Sequence, residues 1–80
     1  MVHYNLLPDI EDLVVATEEL SELQKEITKI LRDQGDLNHL TEEIADVEIV
    51  IKKLKDMFNI SETRINSWKE FKYSRLNNEK

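Results

Sequence analysis

The 80-residue chain has no cysteine, one glycine and one proline. Without cysteine there can be no disulfide scaffold, no thiolate metal site and no cysteine nucleophile. So few breakers, with aromatic residues at only 6% of the chain, make a helical composition. Long hydrophobic runs are also missing. The longest are a few residues, far below the roughly 18 that a membrane span needs. Met1 is followed by neither a basic region nor an extended apolar stretch, so no signal peptide is read and the expected compartment is the cytoplasm. Positive charge is scarce: 11 Lys and Arg against 17 Asp and Glu leave a net charge of −6. That balance argues against a sequence-independent grip on nucleic-acid phosphates. The length allows one domain at most. A chain this short buries only about 60% of its unfolded surface and is marginal alone. With disulfides absent, self-association is the expected remedy.

What is present is helical periodicity, divided at the rare breakers. A short, partly apolar arm covers residues 1–8, and Pro8-Asp9 suits the start of a helix. The spacing predicts a first helix over 9–34, with Ile10, Leu13, Ala16, Leu20, Leu23, Ile27, Ile30 and Leu31 recurring at helical intervals. Gly35 stands where a helix C-terminus favours glycine, and Asp36 and Asn38 are candidate caps for the next helix. A second helix over 37–58 places Leu37, Leu40, Ile44, Val47, Ile51, Leu54 and Phe58 on one face. Asn59-Ile60-Ser61 is a break with Ser61 as an N-cap, a third helix covers 61–76, and 77–80 is a fraying tail. The short connection makes the first two helices antiparallel neighbours. The expected fold is therefore all-α: an antiparallel helical hairpin plus a third helix. Its thin core is to be completed in a homodimer or homotetramer.

The acids carry the functional signal. At about 100° per residue, with Leu20 at zero, Glu19 falls at about −100°, beside Leu23 near −60° and Ile30 near −80°. Measured from Leu40, Glu43 falls near −60° and Asp46 near −120°, with Val50 between them at about −80°. Glu19–Glu22 and Glu43–Asp46 are thus acid pairs spaced i,i+3 that border apolar stripes on consecutive helices. Glu18–Glu22 and Glu22–Glu26 are i,i+4 pairs of like charge, each mildly unfavourable. Four carboxylates converging between antiparallel helices could not all ionise without a counter-charge. A divalent cation supplies one, and oxygen ligands without paired His or Cys favour Mg²⁺, with Mn²⁺ also suited. The plain alternative is a solvated acidic face with Glu22–Lys25 and Glu26–Lys29 as surface ion pairs.

Glu18-Glu19-Leu20-Ser21-Glu22 and Glu43-Ile44-Ala45-Asp46 read EELSE and EIAD. This pattern resembles the EExxE…ExxD signature of the all-α nucleoside triphosphate pyrophosphohydrolases, the MazG-like superfamily that includes dimeric dUTPases. The resemblance spans about residues 10–76 and is similar in layout to small phage and prophage members. It implies a MazG-like bundle that cleaves a nucleoside triphosphate between the α- and β-phosphates, giving the monophosphate and pyrophosphate. Matched position by position, Glu19, Glu22, Glu43 and Asp46 would be Mg²⁺ ligands, and Glu18 would bind a second metal or orient the attacking water. Lys72 and Arg75, with Lys69, stand in the family's KxxR-like arrangement and would hold the phosphates. Cations near a helix C-terminus also complement its dipole without any ligand. The chain departs from the family pattern where a helix usually precedes EExxE: only residues 1–8 stand there. The base contacts are therefore unassigned, although Tyr4 and Asn5 could stack on a base and read it.

His39, beside a helix start, reads as a surface or capping residue. Trp68 reads as core or interface packing, and Met57 and Phe58 as core. Ser21 has no histidine at a suggestive spacing, so serine catalysis is unsupported. The expected function is a Mg²⁺-dependent nucleoside triphosphate pyrophosphohydrolase with no nucleic-acid or membrane partner. The alternative is a non-catalytic helical binding or regulatory module that keeps the fold. A plain coiled-coil adaptor would instead place every acid on the solvent face.

Overall fold

A computed structural model describes residues 10–78. The arm over 1–8, the Pro8-Asp9 helix start, His3, Tyr4, Asn5 and the last two residues of the tail lie outside the described residues. Three helices make up the structure, with no strand among the described residues: α1 (Ile10–Leu31), α2 (Leu37–Met57) and α3 (Glu62–Asn78).

Local chemistry explains where the helices begin and end. Glu11 and Asp12 sit in the first turn of α1 and Lys29 in its last, complementing the helix dipole at both ends. The chain leaves α1 through a residue in the left-handed region, which is Asp33 at φ 59°. The Asp33 N–H donates to the Ile30 carbonyl and the Gln34 N–H to the Lys29 carbonyl. This pair of bonds is the Schellman closure of a helix C-terminus. Gly35 does not have a positive φ; it is required by a close approach instead. A Cβ there would collide with Ile30 Cγ1 and lie 2.9 Å from Ile30 Cα. The first helix therefore stops at Leu31, short of the expected 34, because Asp33 takes the left-handed position that the sequence suggested for Gly35.

Asp36 caps α2: its carboxylate accepts from the Asn38 N–H at 2.7 Å. The α2 terminus repeats the α1 closure. Asn59 adopts φ 53°, and the Ile60 N–H donates to the Lys55 carbonyl at 2.9 Å. Ser61 then caps α3, its hydroxyl accepting from the Arg64 N–H. This helix continues to Asn78, two residues beyond the expected end.

α1 and α2 pack on one another, whereas α3 barely touches them. The cross-helix pairs run in opposite directions along the chain. Asp12 meets Lys53 near one end, and Glu19 meets Glu43 and Asp46 further along. The two helices are thus antiparallel. The seam between them buries Ala16, Val47 and Val50, with Leu13, Leu23, Leu40, Leu54 and Met57 half-buried. Several residues expected on the packed stripe are instead exposed, among them Leu20, Ile27, Ile44 and Ile51. Phe58 is half-buried, and Trp68 is 60% exposed rather than packed. Among the described residues, three small buried apolar side chains are a slender core for three helices. No helix among the described residues is long and apolar enough to cross a membrane.

Candidate metal centre

The α1/α2 register brings acids together midway along the hairpin. One carboxylate oxygen from each of Glu19, Glu43 and Asp46 lies within 4.8 Å of the other two. All three side chains are half-buried. Glu43 Oε2 is buried and has no hydrogen-bond partner among the described residues. An unpartnered buried carboxylate oxygen is costly to desolvate unless a cation or proton satisfies it.

The electrostatics follow from this crowding. The Glu19 carboxyl is raised above its ordinary value by burial, then by the Asp46 and Glu43 charges and by its hydrogen bond with Asp46. Glu43 is raised by burial, then by Asp46, Glu22, Glu42 and Glu26. The groups acting most strongly on both are acids. Lys29 on α1 and Lys53 on α2 are engaged elsewhere: Lys29 pairs with Glu26 at 3.2 Å and Lys53 lies 4.0 Å from Asp12. Among the described residues the cluster thus has negative charge, a buried unsatisfied oxygen and no basic partner. Those are the properties of a group that can hold a divalent metal ion.

The sequence-derived acids do not all meet. Glu19, Glu43 and Asp46 converge; Glu22 is exposed and outside the converging set, although its charge is felt by both glutamates. Glu18 is exposed. Glu26, read from the sequence as half of a surface ion pair, does pair with Lys29 but is only 6% exposed. Its signal was legible as an i,i+7 repeat of Glu19, which places it one pair of turns further along the same edge.

Lys69, Lys72 and Arg75 are exposed on α3, the helix that barely touches the hairpin. Arg75 lies over the Phe71 ring, 6.0 Å from its centroid, and Phe71 meets Trp68 edge-on with centroids 6.0 Å apart. The start of α3 is tied to α2 by the Lys55–Glu62 ion pair, whose hydrogen bond holds the Glu62 carboxyl below its ordinary value. His39 lies 4.0 Å from Asp36 at the α2 cap, both exposed, in keeping with a surface position. A surface groove of about 530 Å³ runs along α1 past Lys25, Lys29 and Arg32; neither Glu19, Glu43 nor Asp46 lines it. No protein-family model, curated protein or solved structure matches the chain.

Proposed function

We propose that the chain is a metal-dependent nucleoside triphosphate pyrophosphohydrolase of the MazG-like type, cleaving its substrate to the monophosphate and pyrophosphate. The observation that carries this reading is the convergence of Glu19, Glu43 and Asp46 from two antiparallel helices around the unpartnered Glu43 Oε2. These carboxylates fit a hard divalent cation, Mg²⁺ or Mn²⁺, and Glu22 adds a fourth negative charge to the same field. When bound, such a cation neutralises phosphate charge and lowers the pKa of a coordinated water. Glu18 would orient the attacking water from the exposed edge of α1. Lys72 and Arg75, with Lys69, would hold the outer phosphates and the leaving pyrophosphate. The bundle is completed as a homodimer or homotetramer, and the working compartment is the cytoplasm.

One observation favours a second reading. The α3 cations sit on a helix that barely contacts the hairpin carrying the acids. A non-catalytic module that binds a metal and a nucleotide, or a protein partner, would need no closer approach. A panel of canonical and modified nucleoside triphosphates, assayed with and without Mg²⁺ and with products resolved as phosphate or pyrophosphate, separates the two. Metal-dependent pyrophosphate release from any member supports the enzyme. A folded protein that turns over none of them, yet is stabilised by Mg²⁺ together with a nucleotide, supports the binding module.

A further inference from the structure

We propose that the groove along α1 lined by Lys25, Lys29 and Arg32 is a phosphate site, which takes the outer phosphates of a nucleoside triphosphate and holds them as the leaving pyrophosphate. Naming the ligand a triphosphate rests on the enzymatic reading above; the anion site itself rests on the groove.

The chain is short of positive charge, yet three cations fall on one line of α1. With Lys25 at zero and about 100° per residue, Lys29 lies near 40° and Arg32 near −20°. Lys25–Lys29 is an i,i+4 pair of like charge and Lys29–Arg32 an i,i+3 pair, each mildly unfavourable unless an anion lies between them. Among the described residues, neither Lys25 nor Arg32 has an ion-pair partner. Lys29 gives one hydrogen bond to Glu26, so its ammonium has further donors to offer. The helix dipole accounts for Lys29, which stands in the last turn of α1. It does not account for Lys25, which stands more than one turn before Leu31. These cations line the groove with Glu22 as its acid, an excess of positive charge that suits an anion.

Groove and acid cluster are contiguous. Glu22 lines the groove, and its charge acts on both Glu19 and Glu43. On the same angular scale Glu22 lies near 60° and Glu19 near 120°, so Glu19, Glu22 and Lys25 step evenly from the cluster to the groove. Lys29 makes a second link. It lines the groove and pairs with the buried Glu26, whose charge acts on Glu43. The rise from Glu19 to Lys25 is about 9 Å, which a row of linked phosphates and an extended lysine side chain span together. The α3 cations are engaged elsewhere: the Lys69 charge acts on Glu62 and Arg75 lies over Phe71, on a helix that barely touches the hairpin. The α1 cations therefore supply the first grip and α3 adds to it.

This placement meets the charge where it develops. In the proposed hydrolysis the water oxygen bonds to the α-phosphorus, and the α–β bridging oxygen leaves with the β-phosphate. The water's protons pass to the products and solvent, and the new negative charge appears on the pyrophosphate. Cations beside the leaving group stabilise it more as that bond breaks than before.

The test uses the full chain and inorganic pyrophosphate, titrated by calorimetry with Mg²⁺ present. Lys25→Gln together with Arg32→Gln should weaken binding by about tenfold or more, as the loss of charge-assisted hydrogen bonds would. Both side chains are exposed, so the fold should survive, and circular dichroism checks it. Lys52→Gln together with Lys53→Gln removes the same charge from exposed positions on α2 and should leave binding unchanged. Amide NMR shifts on adding pyrophosphate should centre on residues 21–32. Undiminished binding by the folded Lys25/Arg32 variant overturns the proposal. So do shifts centred on α3, equal losses in the two double variants, or a wild-type chain that binds no pyrophosphate at millimolar concentration. The enzymatic reading fails separately: a nucleotide panel without turnover, with pyrophosphate still held by Lys25 and Arg32, removes the reaction and keeps the anion site.

Discussion

The two sides of the hairpin are made from the same helices and differ in almost every physical respect. One side gathers Glu19, Glu43 and Asp46 and leaves Glu43 Oε2 buried without a partner. The other presents Leu20, Ile27, Ile44 and Ile51 with few charges. Both are unfavourable as they stand, for opposite reasons: one has polar groups short of water or counter-charge, and the other has apolar groups in contact with water. A single chain carries both, and each would be relieved by a different kind of cover: a cation on one side and apolar contact on the other. The core between them is slender: among the described residues, Ala16, Val47 and Val50 are its buried apolar side chains.

The sharpest way to break the contrast is to neutralise the acid side. Asp46→Asn and Glu19→Gln should lower metal-dependent turnover by more than ~100-fold, a loss beyond that of a residue lying behind a metal ligand. Glu22→Gln, exposed and outside the converging set, should cost about tenfold, nearer the lower limit for such outer residues. Steady-state rates on the best substrate of the nucleotide panel provide the check. Equal losses for Glu22→Gln and Asp46→Asn would restore the four-acid site read from the sequence. Unchanged turnover in Asp46→Asn would remove the site altogether.

A smaller effect sharpens the same contrast through pH. Glu19 and Glu43 hold their protons more tightly in the folded chain than at the ordinary value of 4.5. A carboxyl raised in this way favours the fold below 4.5 and loses that contribution as pH rises through its folded value. Glu62 is shifted the other way, so its contribution is present above 4.5 and disappears only below it. Between neutral pH and 4.5 the acid cluster therefore acts alone among these three groups. The metal-free melting temperature should rise as pH falls through that window. Mg²⁺ at neutral pH should produce a rise of its own, and Glu43→Gln should flatten the pH dependence. Thermal melts by circular dichroism read all three. A melting temperature that falls steadily with pH and ignores Mg²⁺ would show that the crowding carries no stability cost.

Much of this was legible before the fold was known, and the failures have physical causes. Helix number, the Asp36 and Ser61 caps and the pairing of the first two helices follow from periodicity and breaker chemistry. Three of the four acids read as ligands converge, because Glu19, Glu43 and Asp46 all border the stripes along which the two antiparallel helices meet. Glu22 stands apart because its angle carries it past the contact line, a matter of packing register that one helix's periodicity does not fix. Burial of Glu26 depends on what α2 places opposite it, which is again a property of the pair. The outward rotation of Leu20 and Ile44 was hidden for a related reason. A heptad pattern shows that two apolar seams exist but not which of them the chain uses on itself.

The mildest perturbations fall on the turn that holds both sides in register. Gly35→Ala places a Cβ against Ile30 Cγ1 and backbone. The side chain can rotate away but the backbone must shift, so a loss of about 1–3 kcal/mol is expected, as for other overpacked sites. Since the shift would move α1 relative to α2, both the acid convergence and the apolar face should suffer together. Asp33→Gly acts in the opposite direction and on neither side. Asp33 occupies φ 59°, a region that costs an L-residue roughly 1–2 kcal/mol and a short polar residue such as Asp less. Glycine removes that strain but gives the unfolded chain more freedom, worth about 0.4–1 kcal/mol. The net gain should be at most about 1 kcal/mol, which is roughly 4–8 °C in melting temperature for a domain of this size. Turnover and oligomeric mass should not change. If Asp33→Gly stabilises the chain while altering either one, the turn is setting the register and not merely permitting it, and the two sides are coupled through this connection.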